Sequence, residues 1–281
     1  MSVTLIGQSL LSGFMSGCLY ALLGLGLTLS WKYLRIISLS HFALIFLAAY
    51  LTYDMSTRGW HPFVFGVLLI PIFFVLGAVQ QFFLARYKVD EFASVIVTFG
   101  ITIIIESIIQ FIWSADFIRV EKRLARGSLE LGPLLAPWDQ LVMCGFSITA
   151  CLIVWIVLKH TWYGKALRAN LDNPDIAAAF GVPSRRLSIN IAGVGGAFAA
   201  LGGIFIALLF TLTPSQIYSW FGVILATVLL GGLGNPLGAI AAGVVIGMGE
   251  ALTMALTAPS WAPIVPFSLL ILILILWPER V

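Results

Sequence analysis

The chain alternates between long apolar stretches and short polar breaks. Nine hydrophobic segments stand out, at about 5–30, 36–54, 62–84, 92–114, 140–158, 187–210, 218–233, 236–257 and 262–277. A helix crosses a hydrocarbon layer roughly 30 Å thick with about 20 residues, and most of the segments approach or exceed that length. Residues 2–31 contain no Asp, Glu, Lys or Arg, and from Leu187 to Pro278 the one charged residue is Glu250. In hydrocarbon every backbone polar group must be satisfied within the chain, so apolar stretches of this length must be helices. The pattern predicts an all-α, polytopic transmembrane bundle of about 8–9 segments, forming a single transmembrane domain over residues 1–281. Broken or re-entrant pieces fit two places. Segment 36–54 opens on polar Ser38, Ser40 and His41. The seventh and eighth segments are separated only by Gly231-Gly232-Leu233-Gly234-Asn235-Pro236, a tight Gly/Pro turn.

Composition agrees. Of 281 residues, 60% are hydrophobic and 10% charged, where a soluble domain carries about 25% charged residues. The mean hydropathy is +1.06. No stretch has the makings of an added soluble domain. The first thirty residues lack a basic leader and continue into more membrane sequence, which argues against a signal peptide. Cys18, Cys144 and Cys151 all lie in apolar segments and read as small buried hydrophobes. The net charge of +3 is small and the basic residues sit between spans, so no nucleic-acid footprint appears.

Those basic residues set an orientation. With the 159–186 loop in the cytoplasm and the chain alternating, ten face inward: Lys32, Arg35, Arg86, Lys88, Lys159, Lys165, Arg168, Arg185, Arg186 and Arg280. Five face outward: Arg58, Arg119, Lys122, Arg123 and Arg126. This obeys the positive-inside rule and puts the N-terminus outside and the C-terminus inside. The outer loop, 115–139, then has room for a short surface helix or a docking face. Trp220 and Trp261 are expected at the outer interface and Trp277 at the inner one.

Small residues recur at helical spacing in three segments: Gly13, Gly17, Ala21 and Gly24; Ala192, Gly196, Ala200, Gly203 and Ala207; Ala239, Gly243, Gly247 and Ala251. Membrane helices associate by close van der Waals contact, which small residues permit. The stripes, with Gly232 and Gly234 in the turn, read as packing devices, or as surfaces that slide during a conformational change.

The inner loop contains a complete short helix. Asn173 suits the N-cap, Pro174 the first helical position and Asp175 the positive end of the dipole. Gly181 suits the C′ position and Pro183 stops continuation. The result is a helix from Pro174 to Phe180 that exposes Ile176, Ala177 and Phe180.

Three blocks carry a family resemblance. Gly164, Arg168, Ala169, Ala177, Gly181 and Val182 fill a Gly-x-x-x-Arg-Ala…Ala-x-x-x-Gly-Val pattern. It resembles the cytoplasmic coupling loop of branched-chain amino-acid ABC permeases. Gly13 to Ser40, with Tyr20-Ala21-Leu22 and Gly26, is similar to that family's first-helix signature. Leu229 to Ala239, leading into Gly243, Gly247 and Glu250-Ala251, resembles its Gly-rich turn and Gly-x-x-x-Gly-x-x-Glu-Ala block. The family's Asn-x-Ala-His-Gly-Glu run is replaced by Ser38-Leu39-Ser40-His41-Phe42-Ala43, which keeps the His alone.

The resemblance implies a permease subunit of an importer in a bacterial inner membrane. Its partners would be a second, related permease, two cytoplasmic ABC ATPases and a periplasmic solute-binding protein. The coupling residues would be Gly164, Arg168, Ala169, Pro174, Ile176, Ala177, Phe180 and Gly181. The solute class would be branched-chain or other apolar amino acids.

Glu106 and Glu250 fall near the middle of apolar segments, where a charged side chain costs about 2.5–3.5 kcal/mol on insertion scales. Such a group faces a bundle interior or a wet cavity, pairs with a neighbour, or takes up a proton. Glu106 is a candidate for the solute path, with His41, Thr98 and Thr102; Gln110 and Asn190 are weaker candidates. Glu250 fits a structural role. No phosphate loop of the Gly-x-x-x-x-Gly-Lys-Ser/Thr type occurs, so ATP hydrolysis belongs to a separate chain. No nucleophile, metal-ligand or paired-carboxylate pattern argues for an enzyme, a metal or another cofactor. A secondary transporter or channel for a small solute such as urea or an amide is the competing reading, but it leaves the capped inner helix unexplained.

Overall fold

The computed structural model describes residues 3–87, 89–121 and 127–276. Lys88, Lys122, Arg123, Arg126, Trp277 and Arg280 lie outside the described residues. Among those described, nine helices occupy the nine apolar segments: α1 (Val3–Leu34), α2 (Ser40–Thr57), α3 (Pro62–Arg86), α4 (Glu91–Trp113), α5 (Trp138–His160), α8 (Ser184–Leu209), α9 (Gln216–Gly231), α10 (Pro236–Leu256) and α11 (Ile264–Leu276). Two more, α6 (Trp162–Asp172) and α7 (Pro174–Ala179), lie in the inner loop. α1, α3, α4, α5, α8 and α10 are long and apolar enough to cross a membrane; α9 and α11 are shorter apolar helices.

α2 is one unbroken helix of 18 residues, about 27 Å long at roughly 1.5 Å per residue. It is buried nearly all round, from Ser40 and Phe42 to Tyr50 and Thr52, as befits the centre of a bundle. α8 is its main neighbour, with α4, α3 and α9 completing the wall. Its polar start is tied into the bundle rather than solvated. The Leu39 N–H donates to Thr98 Oγ1 at 3.1 Å, Ser40 Oγ to Gln80 Oε1 at 2.8 Å, and Gln80 Nε2 to Ser38 Oγ at 3.2 Å.

The small-residue stripes are the points where helix backbones touch. α1 lies along α10 with Gly13 and Gly17 against Gly247 and Gly243. A Cβ built on Gly17 would stand 2.4 Å from the Gly243 carbonyl oxygen, and one on Gly243 would stand 2.4 Å from that of Gly17. α3 and α8 meet in the same way: a Cβ on Gly77 would come within 2.3 Å of the Ala192 oxygen, and one on Gly196 within 2.1 Å of the Phe73 oxygen. At Gly203, α8 approaches the Ile45 carbonyl of α2. Packing without the hydrophobic effect requires such contact, because dispersion falls away within an ångström of separation.

The bundle has two distinct ends. At one, the Gly234 N–H donates to Thr28 Oγ1 at 2.8 Å, and the 161–183 segment lies beside the end of α1. At the other, Ile118 and Leu212 form an antiparallel bridge. Among the described residues, Lys32, Arg35, Arg86, Lys159, Lys165, Arg168, Arg185 and Arg186 belong to the first end, and Arg58 and Arg119 to the second.

Among its described residues, the 115–139 connection holds a β-hairpin and no surface helix: β1 (Ser128–Leu131) pairs with β2 (Leu134–Pro137). The side chain of Gln8 docks it onto α1 by taking the place of a third strand. Its Nε2 donates to the Leu135 oxygen at 2.8 Å, and its Oε1 accepts from the Leu135 N–H at 3.0 Å. Trp261 is exposed at that end as an interface anchor would be. Trp220 instead lies edge-on to Tyr20 and Phe210, so it packs the bundle as well.

Candidate functional site

The inner loop is built as a rigid corner. Thr161 Oγ1 donates to the Val157 oxygen at 2.6 Å and accepts from the Gly164 N–H at 3.4 Å, which ends α5 and caps α6. α6 then folds back so closely that a Cβ on Gly164 would stand 2.0 Å from the Leu158 oxygen. One turn later, Arg168 Nη1 donates to that same carbonyl, one of the orphan acceptors at the end of α5. The Gly-x-x-x-Arg spacing thus has a local cause: a close approach and, four residues on, the cation that satisfies it. Ala166 and Leu167 join Leu29, Val154, Leu158, Leu187 and Ile191 in a second apolar core under the corner. Burial there raises the Tyr163 phenol above the ordinary tyrosine range, so it stays protonated.

α7 is capped at both ends. Asn173 Oδ1 accepts from the N–H groups of Asp175 and Ile176 at 3.1 and 3.0 Å, with Pro174 at the first position. The Gly181 N–H donates to the Ala178 oxygen and the Val182 N–H to the Ala177 oxygen, the double bond of a Schellman ending. Gly181 has φ +81°, a conformation that favours glycine. Phe180 is the C-cap, so the helix ends one residue earlier than expected. One expectation is corrected: Ala177 is buried, because that side of α7 is turned to α6 and α8. Ile176 and Phe180 are 56% and 85% exposed, and Ala169 and Trp162 are exposed on α6. Gly164 and Arg168 therefore position the corner, while Ile176 and Phe180 are the groups it presents.

The four residues expected on a solute path are not gathered around one cavity. His41 is buried, its Nε2 donating to the Leu23 oxygen at 3.0 Å, and its ring fills the space where a Cβ on Gly26 would be. It lines a cavity of about 30 Å³ with Ser30, Ser38, Gln80 and Gln81. That is room for a water but not for an amino acid. Thr98 is buried against the start of α2, and Thr102 Oγ1 donates to the Thr98 oxygen at 2.9 Å. Only Glu106 reaches the surface of the bundle. It lies on the α4 face defined by Thr98, Thr102 and Gln110, which recur every four residues. Its oxygens accept from Tyr218 of α9 and from Gln110 Nε2.

Glu250 is the opposite case. It is 6% exposed and accepts a 2.6 Å hydrogen bond from the Tyr20 hydroxyl, which ties α10 to α1 beside the glycine contacts. The sequence marks Tyr20 only as part of the first-helix signature and not as the partner of Glu250, since an aromatic in an apolar helix carries no mark of the group it meets. Replacing Tyr20 with Phe should destabilise the bundle by about 1–3 kcal/mol, because a buried acceptor loses its donor. A thermal unfolding midpoint in detergent equal to that of the parent would exclude this pairing as a structural tie. No group of three His, Cys, Asp or Glu suited to a metal occurs among the described residues.

A single helical bundle, apolar on its flanks and closed inside by glycine contacts, with one capped corner projecting from its basic end, is a polytopic membrane protein. The model of the family described as branched-chain amino acid transport system / permease component matches residues 9–274, and the chain belongs to that family. It is 24% identical over 300 residues to the high-affinity branched-chain amino acid transport system permease protein LivH of Escherichia coli K12, covering 98% of this chain and 94% of the relative. The LivH of Salmonella typhimurium is 23% identical over 292 residues, with the same two coverages of 98% and 94%. A probable branched-chain amino acid transport permease protein LivH of Methanocaldococcus jannaschii is 24% identical over 249 residues, covering 83% of this chain and 76% of the relative. No solved structure matches.

Proposed function

We propose that this chain is one of two membrane-spanning subunits of an ATP-driven importer of branched-chain or other apolar amino acids. A second, related permease completes the membrane unit. Two cytoplasmic ATPases drive it and a periplasmic binding protein delivers the solute. The bundle sits in a bacterial inner membrane with its N-terminus periplasmic and its C-terminus cytoplasmic. The unequal distribution of basic residues between the two ends supports that orientation.

The observation that carries the reading is α7. Two apolar side chains, Ile176 and Phe180, stand exposed outside the spans on a helix fixed at both caps and backed by the α5–α6 corner. An exposed aromatic on so rigid a mount is what a protein docking site requires. Movement of an ATPase against this peg reorients α5 and α8, to which the corner is joined. Solute choice is supported by the relatives' names and by the largely apolar flanks, and ATP chemistry falls to the partner chains.

Placing a cysteine at Phe180 tests this directly. In inverted vesicles containing the complete importer, it should cross-link to an ATPase subunit engineered with a cysteine in its membrane-facing groove. A cross-link to no other protein, or accessibility from the periplasmic side, would remove the basis of the proposal.

A further inference from the structure

We propose that Glu106, Gln110 and Tyr218 form a recognition site for the ammonium group of the solute, on a flank of the bundle that faces the second permease across a wet gap instead of facing lipid. The inference rests on the permease reading and identifies which face of this chain takes part and which solute chemistry it meets.

Two acids, Glu106 and Glu250, lie more than a turn from either end of a span, and the structure treats them differently. Glu250 is enclosed and answered by Tyr20. Glu106 is half-exposed, Gln110 is exposed and Tyr218 is 40% exposed. Glu106 lies seven residues before Trp113, the last residue of α4, so it sits about 10 Å below that end at roughly 1.5 Å per residue. At this depth a carboxylate facing acyl chains is strongly disfavoured, and ionisable groups in spans face protein or water. No Lys or Arg falls within α4 or α9. Among the described residues, none makes an ion pair with Glu106.

The geometry suits a ligand. α4 and α9 both pack against α2, and the hydrogen bond from Tyr218 to Glu106 joins them. Gln110 occupies the other carboxylate oxygen. A carboxylate accepts about four hydrogen bonds, so two positions remain for N–H donors from outside the bundle. An alkylammonium group, with three donors and a positive charge, matches that vacancy, and charge-assisted bonds of this kind are the strong ones. On the same face of α4 as Glu106, Phe99 and Ile103 are apolar and exposed, which suits the side chain of an apolar amino acid and the surface of a companion bundle.

The test uses the complete importer in proteoliposomes. The native thiols are buried, so Gln110→Cys reports on its own surroundings. It is treated with a charged methanethiosulfonate and with a lipid-soluble maleimide, with and without L-leucine. The expected result is modification by the charged reagent, slowed about tenfold by leucine through occupancy of the site. Reaction with the maleimide alone places the flank in lipid, and reaction with neither seals it in a dry contact; either overturns the proposal. Equal rates with and without leucine also overturn it. In parallel, Glu106→Gln should lower leucine uptake about tenfold or more, since the charge is lost and the shape kept, with Glu106→Asp retaining more uptake than Glu106→Gln. Unchanged uptake in Glu106→Gln removes the ammonium assignment. If the unsubstituted importer takes up no leucine, the solute assignment of the permease reading fails instead, and the labelling still reports what the flank faces.

Discussion

Replacing Gly243 with valine should leave little or no folded protein in the membrane. The Cβ of any side chain there would stand 2.4 Å from the Gly17 carbonyl oxygen and 3.2 Å from the Ala21 nitrogen. Ordinary carbon–oxygen contacts begin near 3.3 Å, so α1 and α10 must separate by about an ångström. Overpacking a close-fitted core costs about 1–3 kcal/mol for small additions. A branched side chain at so close a helix contact should cost more than about 3 kcal/mol, a large part of a typical 5–15 kcal/mol of stability. The separation would also loosen the neighbouring bond between Tyr20 and Glu250. Yield of monodisperse protein and its thermal midpoint in detergent report the effect. Gly100→Ala and Gly145→Ala serve as controls, because a Cβ at either position meets nothing within 4 Å. A midpoint for Gly243→Val within a degree or two of those controls would mean that α1 and α10 do not touch as described.

The second large effect concerns Phe180. Its side chain is the most exposed aromatic of the inner loop and contributes nothing to the caps of α7, which rest on Asn173, Gly181 and Val182. Phe180→Asp should therefore leave the permease folded and abundant while the ATPase dissociates. An anchoring aromatic in an interface is worth about 2–4 kcal/mol, so affinity for the ATPase should fall about 30-fold or more, and transport with it. Co-purification of the ATPase and solute-stimulated ATP hydrolysis measure this. Retention of both would show that the force enters elsewhere.

Much of this architecture could be read from the residues. The nine apolar runs became nine helices because each is too long and too apolar to exist otherwise at the centre of a bilayer. α7 was visible in its caps: Asn173-Pro174 at one end and Gly181 at the other state a start and a stop in local chemistry. α6 was less visible, since its decisive features, Gly164 and Arg168, act on the carbonyl of Leu158 rather than on α6 itself. The outer hairpin had a usable signal. Leu131-Gly132-Pro133-Leu134 puts a two-residue Gly-led loop between paired positions, and Gly132 takes φ +65° as a II′ turn demands. Polarity alone marks the solute-path candidates in the sequence. Polarity does not say which way a side chain turns, so His41 and Thr98 became internal ties and only Glu106 reached the flank. Tyr218 and Tyr20, the partners that separate the two acids, come from helices more than 100 residues away from those acids.

The central position of α2 also bears on how the chain is made. A helix that meets only protein gains no stability from lipid, and α2 takes most of its contacts from α8, which begins at Ser184. During synthesis, α2 emerges well before that neighbour exists. Its own polar start and modest apolarity give it little reason to settle alone. The nascent bundle must therefore hold an unfilled centre, or keep α2 waiting at the translocon, until residues up to about 209 have been delivered. Either way α2 gains its main neighbour only after a helix made much later, and the final structure closes around its second helix from behind.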